Sequence, residues 1–318
     1  MARILTLTLN PALDLTLHLE RLEPSAVNRS LAQVSHAAGK GLNVAQVLAD
    51  LGHQLTVSGF LGADNADAFE ALFARRGFTD AFVRVAGETR SNIKLAEADG
   101  RITDINGPGP LVDAMAQVDL LMRLETLAPG HDLAVVAGSL PRGVEPYFLT
   151  DLITRLQGHG LKVALDTSGE ALRAGLLATP WLIKPNVDEL ADICERDLAS
   201  VEAQREEARQ LRAMGIEHIV ISQGADGVNW FGPGFALHGQ PPRVSVASTV
   251  GAGDSLLAGM VHGLLNGWSA ARTLRLATAI AAQAVTQVGF GIQDAAQLQE
   301  LEGAVDVQAL PEQQEVSR

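Results

Sequence analysis

The segment Thr249-Val250-Gly251-Ala252-Gly253-Asp254-Ser255 sets two glycines and a carboxylate directly ahead of an apolar, helix-periodic run, Leu256 to Leu265. A chain that turns on glycines into a helix leaves unpaired backbone NH groups at the helix start, where the macrodipole favours negative charge. Such a turn cradles anions. An aspartate there opposes anion binding unless its carboxylate has a task, and the task that suits it is taking a proton from a hydroxyl that attacks a bound phosphate. On this reading Asp254 is the catalytic base, and the amides of Gly251, Ala252 and Gly253 hold the charge that develops on the transferred group. A tight turn in which Asp254 merely caps the helix accounts for the same residues, so the rest of the chain must decide.

A second glycine turn, Ala38-Gly39-Lys40-Gly41-Leu42-Asn43, holds one of only four lysines, against twenty arginines. Lys184-Pro185-Asn186 precedes a helix in which Asn186 and Glu189, spaced i and i+3, face the same way. That pair suits an ordinary helix cap with a first-turn acid. Gly138-Ser139, Asp166 and Ser222-Gln223-Gly224-Ala225-Asp226-Gly227 are further polar turns. Asp14 and His18 share the polar face of the alternating run Leu13 to Leu19, and Arg29, Arg90 and Lys94 are cations suited to a phosphate.

The elements that must position these groups follow from hydrophobic periodicity. Met1 to Leu9 reads as a first strand ending at Asn10-Pro11, followed by strands at Leu13 to Leu19 and, more weakly, Arg29 to Val34. A helix pattern from Leu42 closes at Gly52, and Leu55 to Leu61 and Ala66 to Arg76 add a strand and a helix. Ser91 to Glu97 and Arg101 to Asn106 flank Asp99-Gly100, a hairpin signal with no helix between. These strands, with Leu13 to Leu19 and Arg29 to Val34, make a small antiparallel sheet apart from the main body. From Pro110, helices and strands alternate: strands at Leu133 to Ala137, Lys162 to Asp166, Trp181 to Ile183 and His218 to Ser222 are separated by helical patterns. A β-rich run, Arg243 to Ala247, enters the glycine turn. Ser269 to Gln287 is helical and Ala-rich, another short helix follows, and the polar tail from Asp306 reads as loose. The alternation predicts a parallel sheet with helices on both faces, and ligands of such sheets sit outside the carboxyl ends of the strands. Most of the polar turns fall there.

Taken in order, Ala38 to Ala45, Lys184-Pro185-Asn186 with Glu189, and Thr249 to Asp254 resemble the signatures of the ribokinase-like (pfkB) sugar kinases and together cover nearly the whole chain. Thr6 to Asp14, Gly59-Phe60-Leu61-Gly62, Thr89-Arg90, Lys94-Leu95 and Asp166 to Leu172 are similar to that family's bacterial phosphofructokinase branch. Ala38 departs from the broad family, where glycine is commoner, and Val27 stands where the minor 6-phosphofructokinases tend to carry a lysine. The resemblance implies an α/β ribokinase-like fold, a mainly parallel central sheet with helices on both faces plus a small antiparallel β lid. It implies one kinase domain over 1–318, with the lid formed by about 13–36 and 89–107.

The resemblance also implies roles. ATP is the phosphoryl donor, Mg²⁺ the cofactor and a phosphorylated ketohexose the acceptor: fructose 1-phosphate at its 6-hydroxyl, or alternatively tagatose 6-phosphate or fructose 6-phosphate. Asp14 accepts from sugar hydroxyls, Gly39, Lys40 and Asn43 wrap the other edge, Arg29 and Arg90 hold the substrate's phosphate, and Ser139 donates to the sugar unless it is a plain turn residue. ATP is expected against Lys184, Asn186, Ser222, Gly224, Gly227, Thr249, Gly251 and Gly253. Glu189 and Asn186 are expected to hold Mg²⁺ through water. The lid's exposed edges and apolar face point to a homodimer formed lid to lid. A sugar-phosphate sensor would not need both Asp254 and the cradle, and no strand-to-helix G-x-G-x-x-G opens the chain as a dinucleotide fold requires.

Composition sets the outer bounds. A chain of 318 residues, 47% hydrophobic, can bury a large core. Its formal charge of -13 argues against nucleic acid or an anionic membrane as partner. No run of 18 apolar residues appears, the N-terminus does not read as a signal peptide, and the lone Cys194 suits a reducing compartment. A cytoplasmic protein is expected.

Overall fold

Ile4 faces one apolar layer while Leu5 and Leu7 face another, all three fully buried. That double burial puts β1 (Arg3–Thr8) inside the main sheet, between two parallel neighbours. The computed structural model describes residues 1–311. After β1 come β2 (Ala12–Leu19), β3 (Ala32–Ala38), α1 (Lys40–Asp50), β4 (Gln54–Gly62), α2 (Asp67–Arg76), the short β5 (Thr79–Asp80) and β6 (Val83–Val85), and the hairpin β7 (Ser91–Glu97) and β8 (Ile102–Asn106). The alternating part adds α3 (Ala114–Leu127), β9 (Leu133–Ala137), α4 (Pro146–Gly158), β10 (Lys162–Asp166), α5 (Gly169–Leu176), β11 (Leu182–Ile183), α6 (Val187–Cys194), α7 (Val201–Ala213) and β12 (His218–Ser222). The last part runs β13 (Val228–Gly232), β14 (Phe235–Gln240), α8 (Ala252–Leu265), α9 (Ala270–Ala284), α10 (Ala295–Ala304) and β15 (Asp306–Ala309).

The main sheet has 11 strands in the order β15-β14-β13-β12-β11-β10-β9-β1-β4-β5, with β6 also on β4. It is parallel from β12 to β5 and antiparallel from β12 to β15. α1, α2, α8, α9 and α10 pack on one face, and α3 to α7 on the other. The fold is the expected α/β ribokinase-like one, a mostly parallel sheet between helices with a small four-stranded sheet beside it.

Five expectations need correction. The small sheet, ordered β3-β2-β7-β8, is not wholly antiparallel: β2 and β7 pair in parallel, because both strands leave the main body from the same junction, Leu13 beside Ser91. β3 begins at Ala32 and runs to Ala38, its register fixed by His18 opposite Ala32, and this leaves Arg29 in the loop before it. Arg243 to Ala247 is not a strand. Pro241 and Pro242 supply no amide donors, and the amides of Ala247 and Ser248 donate to the Val285 carbonyl just past α9. The tail is not featureless from Asp306, since β15 closes the sheet on β14; residues 312–318 lie outside the described part. Finally, α1 and α8 start earlier than their apolar periodicity, at Lys40 and Ala252, so both glycine turns are themselves first helical turns.

Candidate active site

α8 opens on Gly251, whose φ of 83° lies in the left-handed region that glycine adopts without strain. Asp254 stands in the first turn, but its carboxylate makes no capping bond to the helix. It accepts instead from Asn43 Nδ2 on α1 at 2.8 Å and is 6% exposed. Burial, and then the negative charge of Asp166, push its pKa up to about 6, against the Asn43 hydrogen bond and the charges of Lys40 and Lys184. A carboxylate so poised releases and accepts a proton near neutral pH. For Asn43 to reach it, α1 must pack tightly on β1. Gly41 permits this: a Cβ there would lie 2.5 Å from Thr8 Oγ1.

Asp166, at the end of β10 and 1% exposed, lies between two lysines, 3.2 Å from Lys40 Nζ and 3.3 Å from Lys184 Nζ. Burial pulls the Lys40 pKa down, yet the carboxylates of Asp166, Asp254 and Glu189 outweigh it and hold the ammonium above its ordinary value. Lys40 therefore faces the α8 start as a cation, and Lys184 stands on the other side of Asp166. Lys184 is close enough that a Cβ on Gly253 would stand 3.2 Å from its Nζ.

The opposite wall comes from the small sheet. Asp14 on β2 sits beside Asn92 on β7, and Asn92 Nδ2 donates to Asp14 Oδ1 at 3.0 Å. Burial raises the Asp14 pKa, opposed by that hydrogen bond and by Lys94, Arg90 and His36. The Arg90 guanidinium donates to the Asn10 carbonyl at 3.2 Å and the Pro11 carbonyl at 3.4 Å, where β1 hands over to β2. Burial lowers its pKa and Asp14 opposes the shift. Asn43 Oδ1 and Asn92 Oδ1 are buried and accept no hydrogen bond among the described residues, which leaves two acceptors for hydroxyl donors.

These walls enclose a cleft of about 460 Å³. Of the residues expected around a sugar, Asp14, Gly39, Lys40, Asn43 and Arg90 line it. Lys184, Ser222 and Gly224 line it from the strand ends, Asn186 and Glu189 from the start of α6, and Gly251, Gly253 and Asp254 from the start of α8. The remaining expected residues are not among those lining it. Arg29 is exposed in the loop before β3. Ser139 is exposed, its hydroxyl accepting from Asn10 Nδ2 at 3.1 Å. Gly227 is spent on the turn into β13, where its carbonyl accepts from the Gln223 amide, and Thr249 is exposed ahead of the cradle. Ala252 contributes a backbone position between the two lining glycines.

The cleft's lining holds three basic side chains, Lys40, Arg90 and Lys184, against four acidic ones, Asp14, Asp166, Glu189 and Asp254. Phosphate groups entering there would need added positive charge. Asn186 and Glu189 form a capping box: Asn186 Oδ1 accepts from the Glu189 amide at 2.7 Å and Glu189 Oε2 from the Asn186 amide at 2.9 Å. Their helix-cap reading therefore holds, and it leaves the other carboxylate oxygen of Glu189, a residue that lines the cleft, outside the cap. The described residues contain no cluster of three or more His, Cys, Asp or Glu able to cage a metal. One or two carboxylates beside a phosphate site is the donor set that suits Mg²⁺, which keeps waters and takes the rest of its ligands from substrate.

Residues 7–296 match the pfkB family of carbohydrate kinases. This chain belongs to that family. Among curated relatives, the 1-phosphofructokinase of Vibrio cholerae is 46% identical over 308 residues, covering 97% of this chain and 97% of the relative. That of Escherichia coli K12 is 45% identical over 306 residues, covering 96% and 98%. Among solved structures, phosphofructokinase-2 from Escherichia coli in complex with potassium superposes with a TM-score of 0.87 at 30% identity, covering 96% of this chain and 99% of that one. The kinase's sequence hid two features of the cleft. Asn92 looked like any strand residue, and only the parallel pairing of β2 with β7 puts it on Asp14. Asp166 was legible as a polar strand end, but not as the bridge between two lysines. No helix among the described residues is long and apolar enough to cross a membrane.

Proposed function

We infer that this kinase uses ATP to phosphorylate the 6-hydroxyl of fructose 1-phosphate, giving fructose 1,6-bisphosphate. The observation that carries this is near-full-length identity of about 45% to several 1-phosphofructokinases. The cleft supplies a chemistry that fits it. Asp254 takes the proton from the acceptor hydroxyl as that oxygen attacks the γ-phosphorus, and the amides from Gly251 to Gly253 meet the charge gathering on the transferred group. Lys40 and Lys184, tethered by Asp166, steady the phosphates from the side. Asp14 and Asn43 orient the sugar, and Arg90 receives its 1-phosphate. Mg²⁺, held near Glu189 and Asn186 through water, would offset charge on the terminal phosphates when bound.

The small sheet acts as a lid that excludes water from this reaction, within one kinase domain spanning 1–318. Leu15, Ile93 and Ile105 align across it on one face, as do Leu17 and Leu95. A second copy covering that face makes the working unit a homodimer. Arg29 is exposed on the loop before β3. A lone free thiol, half-buried Cys194 with its pKa pushed up to about 12 chiefly by burial, accords with a cytoplasmic enzyme. The deciding experiment is a coupled ADP-release assay with fructose 1-phosphate, fructose 6-phosphate and tagatose 6-phosphate as acceptors. Clear preference for the first is expected; preference for either 6-phosphate overturns the substrate and leaves the kinase class standing.

A further inference from the structure

The loop after α9 reaches both sides of the glycine cradle. The Val285 carbonyl accepts from the amides of Ala247 and Ser248, at 2.7 and 3.2 Å, in the segment that leads into the cradle. Further along the loop, Phe290 lays its ring edge on Gly251 itself, where a Cβ would stand 3.0 Å from Phe290 Cε1. The same loop is tied to the far end of α1. Asp50 Oδ2 accepts from the Ile292 amide at 2.8 Å, and neighbouring Gly291, with φ of 91°, passes so near that a Cβ would lie 2.5 Å from that oxygen. The other Asp50 oxygen accepts from Arg76 Nη2 at 2.7 Å, and Arg76 also donates to the Gln46 carbonyl of α1.

α1 thus presents Lys40 and Asn43 to the cleft at one end and anchors the loop beside the cradle at the other. Gly251 has no side-chain cap of its own, so packing from outside must fix its height. We propose that Asp50, braced by Arg76, is a positioning residue that holds Ile292, and through it the Phe290 contact that sets where the amides of Gly251 to Gly253 point. A partly exposed ion pair of this kind adds little to stability. Its effect falls on geometry, and a misplacement of the cradle by a fraction of an ångström slows the transfer step. The proposal rests on the cradle's assignment to the transferred phosphoryl group.

The test is steady-state kinetics with ATP and fructose 1-phosphate on D50A, D50N, F290A and the D50A/F290A double variant, with thermal melting of each. D50A and F290A are each expected to lower kcat about tenfold, with KM for fructose 1-phosphate within about twofold of wild type and little change in melting. D50N, which keeps an acceptor for the Ile292 amide, should recover to within about threefold of wild type, and the double variant should lose no more than about either single one. Wild-type kcat in folded D50A overturns the proposal. So does wild-type kcat in F290A, which serves where D50A folds poorly, and so do losses that multiply in the double variant. D254N separates the two levels: if it is inactive while D50A is normal, only the Asp50 proposal falls, whereas an active D254N removes the catalytic assignment of this cleft on which the proposal rests.

Discussion

The two sheets of this kinase are built to opposite rules. In the main sheet β9 buries every residue and β10 all but Lys162; in the small sheet β8 buries none and β3 only Ala38. The groups proposed for phosphoryl transfer, Asp254, Asp166 and Lys184, stand on the first frame and are themselves buried. Asp14, proposed to orient the sugar, and its partner Asn92 stand on the second. A dry, rigid frame shifts a carboxylate's pKa and keeps it in place, whereas a thin, half-wet sheet can yield to admit a sugar. The cleft exists only where the two meet.

The largest effect should come from the rigid side. D254N is expected to lower kcat about a thousandfold while KM for ATP stays within a few-fold, as loss of a general base requires. Near-normal turnover would dissolve the contrast between the two sheets. On the small sheet, R90Q should raise KM for fructose 1-phosphate about 10- to 100-fold, the size of a lost charge-assisted contact, and leave KM for ATP within about twofold. Equal damage to both substrates would mean that Arg90 serves the frame instead. I105K, which sets a charge on the 52% exposed Ile105 in the apolar face, should give monomers by sedimentation with melting of the main body unchanged. A dimer that survives moves the interface elsewhere.

The smallest effects are linked to pH. With Asp254 raised from 3.8 to about 6, kcat should climb through pH 6 and level off above it, because the base works ionised. Stability runs the other way. The folded chain holds this proton more tightly than the unfolded one, so the contribution is present below about pH 4, is lost as pH rises through 6, and leaves a buried charge at neutrality. D254N should therefore melt higher than wild type at pH 7, by on the order of 2 kcal/mol, with little gain at pH 4. Differential scanning calorimetry at the two pH values checks the sign.

Local signals carried most of the frame. Leu133 to Ala137 and Lys162 to Asp166 are short apolar runs bounded by turn residues, and both are strands with those limits. The hairpin at Asp99-Gly100 was equally plain, with Gly100 at φ 88°. What escaped depends on partners far away in sequence. Arg243 to Ala247 has strand-forming residues but no strand to pair with, and Asp306 to Ala309 is polar yet completes an edge that β14 offers. At the site, residue type and spacing picked out Asp254 and Lys184, while Asn92 required the register of β7 on β2. Arg29 was misplaced because a strand was started at it, when the register begins at Ala32.

Arg90 is bonded to the carbonyls of Asn10 and Pro11, the link through which the central strand enters the small sheet. It occupies the fulcrum. If the sheet swings shut about that link, its far end at Leu19 and Glu97 travels like the free arm of a compass while the guanidinium and the adjoining pair Asp14 and Asn92 stay almost still. A phosphate caught there would be docked before the sheet folds over it, and catch would precede closure.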